Sequence, residues 1–490
     1  MSNKILINAI DRDECRIAKV KEGKLEEFHI ENASREIIQG NIYKGVICRR
    51  VPSLQASFVD YGMERNGFLQ KHEIHSDYFQ DTQLGERSIE HLVKKGQELL
   101  VQVTKDPSQQ KGAMLTTYVS LPGRYLVLMP GSNNRGISRK IEAEEERNRL
   151  KMLIDKLNVP EGFGIIVRTV GNDCSKTLLS RDIKYLLRLW KNIKKKGIKA
   201  KAPAILYKER TLVLRSIRDY LTSDVTEILV DNEAVYNEVK DFIKIISAKH
   251  TKIVKYYKDP KPIFAKYELE NQLSSIFESR VDLKSGGSIV IEQTEALVAI
   301  DVNSGRTTHK KSVEQTALIT NLEAAEEVAR QLRLRDLGGL IVIDFIDLRD
   351  PRNKSAVERT LRTHIKNDKA RTTTGKISKF GLMEMSRQRI RPSIEFSSFE
   401  PCKRCQGKGM IPSTETLGLR FLRKLHLEIL KNQDANLKGA VPVNVADYLL
   451  NKKRKEIYDI EAKHHCSITI EGDDSMLLNE SRITSEGTGC

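Results

Sequence analysis

The chain has 490 residues, with 83 Lys and Arg against 66 Asp and Glu and a formal net charge of +17. That length allows about two to four domains, and the basic balance calls for a polyanionic partner. No apolar run reaches the ~18 residues of a membrane span. The opening MSNKILINAIDRDE turns to charge too early for a signal peptide. Seven cysteines in a chain of this size are no disulfide framework and point to a reducing cytosol. With one Trp and 6% aromatic residues, any base stacking is local.

Residues 1–35 read as a short β-meander, KILINAI, CRIAKV and KLEEFHI, with Glu22-Gly23 turning one hairpin. Residues 38–118 follow with NIYKGVICRRV, ASFVDYG, RNGFLQ, ELLVQVTKD and KGAMLTTYVSL, short strands with Gly and Pro punctuation that fit an OB-type barrel. Phe58 and Phe68 fall on its strands and Lys111 beside the last. They are either core residues or the stacking surface and phosphate attraction that a single-stranded nucleic acid needs. Between 119 and 200 come the strand GRYLVLMP, a charged helix near Lys140 to Leu157, the strand FGIIVRTVG, and a helix carrying Leu179, Ile183, Leu186, Trp190 and Ile193 at helical spacing, which makes Trp190 core. The run from Lys191 to Lys201 is a solvated face and loop or an RNA contact. Residues 202–278 form a further α/β unit (AILYKE, RSIRDYL, TEILVDN, KIVKYYKD and helices) that completes the sheet begun by residues 1–35, with the intervening segments inserted.

Two apolar strands then run straight into an aspartate: EALVAIDVNSG with Asp301, and GGLIVIDFIDL with Asp344. Between them, from Glu314 to Asp336, Ala317, Leu318, Leu322, Ala325, Val328, Ala329 and Leu332 share one helix face, and Gly338 and Gly339 are expected to end the helix. Strand, helix, strand predicts parallel neighbours, with both aspartates at the carboxyl ends, where α/β sheets bind ligands. Asn303, two residues past Asp301, faces the same side. A buried carboxylate is costly unless its charge is offset, and a hard divalent cation such as Mg²⁺ takes one or two carboxylates and keeps several waters. The competing reading is a pair of turn or cap residues, which Asp347 and Asp350 are expected to be. After the basic stretch SRQRIRPS, CKRCQGKG places Cys402 and Cys405 at metal-knuckle spacing, with Gly407 and Gly409 for tight turns. A closed zinc site needs four ligands. His464, His465 and Cys466 supply the others, or a second copy of the chain brings its own pair; the competing reading is two free cytosolic thiols. The last residues read as a small α/β unit trailing into a polar tip, ESRITSEGTGC, expected to be disordered.

The stretches NIYKGVICRRVPSLQASFVDYG, SGGSIVIEQTEALVAIDVNSG, TNLEAAEEVARQLRLRDLGGLIVIDFIDL, FGLMEMSRQR and CKRCQGKG together resemble the ribonuclease E/G family of bacterial endoribonucleases, over nearly the whole chain and in the same order. The resemblance implies an α/β multidomain protein. Its parts would be an RNase H-like domain (1–37 and 202–279) with an inserted OB-type RNA-binding barrel (38–118) and a 5′-end sensor (119–201), then a DNase-I-like catalytic domain (280–400), a zinc link (401–414) and a small C-terminal dimerisation domain with a flexible tip (415–490). It puts catalytic Mg²⁺ on Asp301 and Asp344 with Asn303 orienting the site, a 5′-monophosphate pocket on Gly123, Val127, Arg168, Thr169 and Arg371, RNA contacts on Phe58, Phe68 and Lys111, and a structural Zn²⁺ on Cys402 and Cys405, shared between two chains. Lys403 stands where the family often has Pro, which leaves both thiolates in place.

The implied activity is Mg²⁺-dependent cleavage of single-stranded RNA, favouring 5′-monophosphorylated substrates and leaving 5′-phosphate and 3′-hydroxyl ends. It belongs to a cytoplasmic homodimer or dimer of dimers acting in rRNA processing or mRNA decay. By length the compact, ribonuclease-G-like form fits better, so no long scaffold tail or membrane-binding segment is expected. The rivals are a non-catalytic RNA-binding protein, and a phosphatase or DNA nuclease using the same carboxylates.

Overall fold

The computed structural model describes residues 3–486 except 12, 33–36, 81–87, 108–110, 142, 172–173, 210, 223, 247, 306–312, 367, 390–392, 395–398, 401, 406, 408, 432–435 and 478. The chain divides into two compact units, residues 1–397 and 398–490.

In the first unit the opening meander forms as the alternation predicts. Strands Asn3–Asn8, Glu14–Lys21 and Lys24–Asn32 pair antiparallel, with Glu22 and Gly23 both left-handed at the turn. Strand Val225–Val230 lies parallel to Asn3–Asn8, and Val254–Tyr256 lies beyond it. One sheet is thus built from two distant segments, because its buried residues Ile5, Ile7, Ile228 and Val230 share a single core.

The expected barrel closes: Ile42–Val51, Ala56–Asp60, Gly67–Gln70, Met114–Thr116 and Glu98–Lys105 follow in spatial order, and the last pairs back onto the first. A further strand departs from expectation. Ala204–Tyr207 joins the barrel through Ile42–Lys44, not the first sheet, since Leu206 buries against Ile42 and the core of residues 119–200. That core lies under a four-stranded sheet (Arg135–Ile137, Phe163–Val167, Leu126–Pro130, Leu121–Pro122) and the helices Glu144–Asp155 and Lys176–Lys199. Residues Lys191 to Lys199, expected to pass into a loop, stay helical because Ile193 still reaches the core. Trp190 packs on that core while only partly buried.

The sheet carrying the aspartates has the order Arg280–Asp282, Ser288–Gln293, Leu297–Asn303, Gly339–Asp344, Leu382–Arg387, Thr372–Ile377. The expected crossover is present: Leu297–Asn303 and Gly339–Asp344 are parallel neighbours joined through helix Val313–Leu334. Val298, Ile300, Val302, Ile341, Ile343, Met383 and Met385 bury on one face against Ala317, Ala325, Val328, Ala329 and Leu332, with Leu318 and Leu322 partly buried beside them. The opposite face is open.

The helix ends differently from the sequence reading. Asp336, not a glycine, takes the left-handed conformation (φ 50°). Leu337 N–H donates to Leu332 O (3.1 Å) and Asp336 N–H to Arg333 O (3.4 Å), the Schellman pattern, and Asp tolerates that backbone better than most residues. Gly338 serves packing instead, for a Cβ there would meet Arg389 Cγ at 2.7 Å.

In the second unit helix Thr414–Lys431 and helices Val443–Lys452 and Arg454–His464 pack on a three-stranded sheet, Ile468–Gly472, Asn436–Val441, Arg482–Glu486. The expected disordered tip is corrected in part. Arg482–Glu486 pairs antiparallel with Asn436–Val441, and Ile483 packs against the core of this unit. Residues 487–490 lie outside the described residues.

Asn321 is fully buried on the crossover helix. Its amide donates to Ile346 O (2.7 Å) and accepts from Ile346 N–H (3.0 Å), pinning the turn that leaves Asp344. Asn321→Ala strips both backbone groups of their partner, which costs about 1–3 kcal/mol. Urea denaturation should show that loss, together with a lowered cleavage rate.

Candidate active site

Strand pairing places Asp301 directly opposite Asp344, in a row that runs Val290, Asp301, Asp344, Leu382 across four strands. Since side chains alternate along a strand, this row projects from the open face, the side away from Val302 and Ile343. Asp301, Asn303 and Asp344 are all exposed. Two expectations are corrected here. The carboxylates are not buried, so desolvation is not what calls for a cation. Asp301 is also two residues short of its strand's end, because the strand continues to Asn303. What brings the carboxylates together is parallel register on adjacent strands. Asn303 Nδ2 donates to Asp301 Oδ2 (2.7 Å), as its spacing predicts, and so fixes the carboxylate's rotation.

Asp350 caps helix Pro351–Ile365, its carboxylate accepting from Arg352 N–H (2.8 Å). Glu314, at the start of the crossover helix, accepts from Arg349 and Asp350 N–H and from Asn353 Nδ2, which draws the Glu314 carboxyl below its ordinary value through the Asn353 bond and then the backbone donors. Asp347 is not turned away from Asp344 as expected. The strand stops at Asp344, and a Cβ built on Gly381 would stand 3.2 Å from Asp347 Oδ1 and 3.9 Å from Asp344 Oδ1.

The donor set is two hard carboxylates on a solvent-open face, which fits a divalent cation that keeps most of its waters. Among the described residues, no group of three or more His, Cys, Asp or Glu side chains is arranged to hold a metal.

Of the five residues expected at a 5′-phosphate pocket, Gly123 and Arg168 meet: Arg168 Nη1 donates to Gly123 O (2.7 Å). Val127 pairs with Ile166 on the neighbouring strand. Thr169, next to Arg168, is exposed. Arg371 is exposed at the mouth of strand Thr372–Ile377, its carbonyl accepting from Gln388 N–H (2.8 Å).

The sequence reading missed what organises this region. Asp219 accepts from Arg168 Nη2 at 2.5 Å. Burial pushes the Asp219 carboxyl up, but the charges of Arg168, Arg218 and Lys369 outweigh it and hold it well below the usual range. Asp182, buried on helix Lys176–Lys199, accepts from the N–H groups of Arg124, Tyr125 and Leu126, and burial still leaves its carboxyl raised. A Cβ on Gly123 would strike that carboxylate at 2.6 Å, so glycine is required. Neither acid has a sequence signal, since each acts on backbone or side chains about 50 residues away.

Arg168 and Asp219 also line a cavity of about 220 Å³ whose other wall includes Asp368, Lys369 and Arg387. Arg387, from the stretch read as merely basic, is fully buried and makes a two-pronged pair with Asp368 (2.6 and 3.1 Å).

On the barrel, Phe58 and Phe68 face each other across paired strands, with ring centroids 5.7 Å apart and edge to face. Both are half-exposed, and Lys111 is exposed just ahead of strand Met114–Thr116.

In the second unit the N–H groups of Cys405 and Arg404 point at the Cys402 sulfur and lower its thiol below the ordinary value, with Gly407 and Gly409 left-handed nearby. Backbone donors aimed at sulfur favour the thiolate form. His464 instead packs edge-on against His426 (5.1 Å), His465 takes the left-handed turn that ends its helix, and burial raises the Cys466 thiol.

A closed five-stranded barrel and a sheet that presents paired carboxylates thus belong to the same compact unit. The barrel region, residues 36–117, matches the S1 RNA binding domain. Residues 120–390 match the ribonuclease E/G family and residues 401–486 its thioredoxin-like domain. The chain belongs to the ribonuclease E/G family. It is 47% identical over 476 residues to ribonuclease E of Haemophilus influenzae, covering 96% of this chain and 51% of that protein. It is 45% identical to ribonuclease E of Escherichia coli K12, over 94% and 44% respectively. Against ribonuclease G of the same strain the identity is 36%, over 94% of this chain and 95% of that protein. The chain thus spans about half the length of these two ribonuclease E proteins. Among the described residues no helix is long and apolar enough to cross a membrane.

Proposed function

We propose that the protein is an endoribonuclease that hydrolyses single-stranded RNA at the open face bearing Asp301 and Asp344, using Mg²⁺ and leaving 5′-phosphate and 3′-hydroxyl ends. The observation that carries this is the in-register pairing of the two exposed aspartates in a chain of this family. Their carboxylates are the hard donors that would hold the cation, and Asn303 keeps the Asp301 carboxylate in one orientation. When bound there, a divalent cation polarises the phosphate and lowers the pKa of water. The barrel's Phe58, Phe68 and Lys111 offer a stacking surface and a positive charge to the strand. The net charge of +17 attracts RNA from a distance. RNA as substrate, in rRNA processing or mRNA decay in the cytoplasm, fits that charge and the relatives named ribonuclease E and ribonuclease G.

Asp301→Asn or Asp344→Asn should abolish cleavage of a short fluorescent RNA strand in Mg²⁺ while leaving its binding nearly unchanged. A variant keeping more than about a few per cent of the parent rate removes that residue from the site, since neutral amides are poor ligands for Mg²⁺. Matched DNA left uncut separates an RNase from a general nuclease.

A preference for 5′-monophosphorylated ends is assigned to Arg168, with Thr169 beside it, Arg371, and the backbone at Gly123 and Val127. Arg168 is suited to this because Gly123 O and Asp219 fix its guanidinium before any RNA arrives. Arg168→Ala should slow cleavage of 5′-monophosphorylated RNA by about 10- to 100-fold, the worth of one charge-assisted contact, and slow 5′-hydroxyl RNA far less. Equal slowing on both substrates argues against a sensor here.

The Cys402 and Cys405 thiolates are assigned to a structural zinc shared by two chains, which makes the protein a homodimer or a dimer of dimers. Two thiolates are half of a closed site, and no third ligand from the described residues joins them. Cys402→Ser with Cys405→Ser should release the zinc and give monomers at low protein concentration in sedimentation. Metal analysis should find one zinc per two parent chains. One zinc per chain would point to closure within the chain, by His464, His465 or Cys466.

A further inference from the structure

The open sheet face ends at a hairpin tip, Ser378–Lys379–Phe380–Gly381, between strands Thr372–Ile377 and Leu382–Arg387. Phe380 is 73% exposed there. A lone exposed apolar side chain is ordinary, but the location of this one is not. Leu382 pairs with Asp344, and a Cβ on Gly381 would lie 3.2 Å from Asp347 Oδ1 and 3.9 Å from Asp344 Oδ1. The backbone leaving Phe380 therefore passes beside the carboxylates of Asp347 and Asp344.

The tip is also fixed. Ser378 N–H donates to Leu382 O (2.8 Å) and Gly381 N–H to Ser378 O (3.2 Å). Phe380 N–H donates to Ser378 Oγ (3.2 Å). Gly381 holds a positive φ of 83°. The Lys379 ammonium lies 5.0 Å from the Phe380 ring centroid, so ring and cation are presented together. An aromatic face with an adjacent ammonium is what one unpaired nucleotide requires, a surface for the base and a charge for its phosphate.

We propose that Phe380 stacks one unpaired RNA base next to the scissile phosphate, with Lys379 meeting the adjoining phosphate, so that this tip positions the strand over Asp301 and Asp344. The proposal rests on the reading of those aspartates as the cleavage site. It differs from the barrel pair Phe58 and Phe68, whose rings already pack on each other.

The test uses the full chain and short single-stranded RNAs carrying 2-aminopurine at each position in turn, bound in EDTA. The parent should quench the probe at one or two positions. Phe380→Ala should lose that quenching and weaken binding by about 5- to 100-fold, the range of a single stacked base, while Phe380→Trp restores both. In Mg²⁺, removing the base at the quenched position should slow the parent to the rate of Phe380→Ala and leave Phe380→Ala no slower than before. The proposal is overturned if Phe380→Ala binds and cleaves within about two-fold of the parent, or if its defect is the same with and without a base at every position. The aspartate reading fails separately: if Asp301→Asn still cleaves, the chemistry lies elsewhere, and quenching by that variant still reports whether Phe380 stacks.

Discussion

The parallel register that sets Asp301 against Asp344 is the constraint on which the candidate site depends. A slip of one residue would turn one of the two aspartates into the core. Helix Val313–Leu334 holds the register from below through a continuous apolar face, and its polar ends hold the loops. Glu314 gathers the N–H groups that start helix Pro351–Ile365, Asn321 fastens the backbone just past Asp344, and Asp336 closes the helix so that Gly338 can pass close to Arg389. Each contact acts on backbone, which is why it fixes the strand and not just a side chain.

The same helix ties the first sheet to the site. Arg330 donates to Leu25 O and Arg333 pairs with Glu26. Buried Arg335 bonds both Gln331 Oε1 and Ser275 O. Its last turn reaches the charged cavity that Arg168 shares with Asp219, Asp368 and Arg387. Ion pairs this deep are costly to desolvate and add little net stability, but removing one partner leaves a charge without compensation. The arrangement therefore specifies geometry: Arg168 is held by Gly123 O on one side and Asp219 on the other. Lys140, from the segment of residues 119–200, likewise donates to the carbonyls of Asp368 and Ala370, directly ahead of Arg371.

The chain is basic as a whole yet carries paired carboxylates on one exposed sheet face. The net charge of +17 gives a field that attracts polyanions at long range, while the exposed carboxylates of Asp301 and Asp344 would repel a phosphate backbone at short range unless a cation stood between them. Aromatic side chains are few; Phe58 and Phe68 are half-exposed and Phe380 is exposed, as are Tyr118, Phe399 and Tyr458.

The sequence by itself determined the elements whose signal is local. Two-residue alternation marked the barrel strands, helical spacing marked the crossover helix, and the matched strand-to-aspartate runs marked Asp301, Asn303 and Asp344. The spacing of Cys402 and Cys405 was equally legible. Only the tertiary structure decided which sheet edge captures Ala204–Tyr207, because four residues carry no preference strong enough to choose a partner. The same holds for Arg482–Glu486, where a single apolar residue, Ile483, meets the core and the backbone ladder supplies the rest. Asp182, Asp219 and Asn321 were invisible for one reason: a buried polar side chain is defined by the distant backbone groups it satisfies, and sequence spacing does not encode those. Phe380 stood in a stretch already singled out, but its meaning came from the fold, which set a rigid hairpin tip beside carboxylates from another strand.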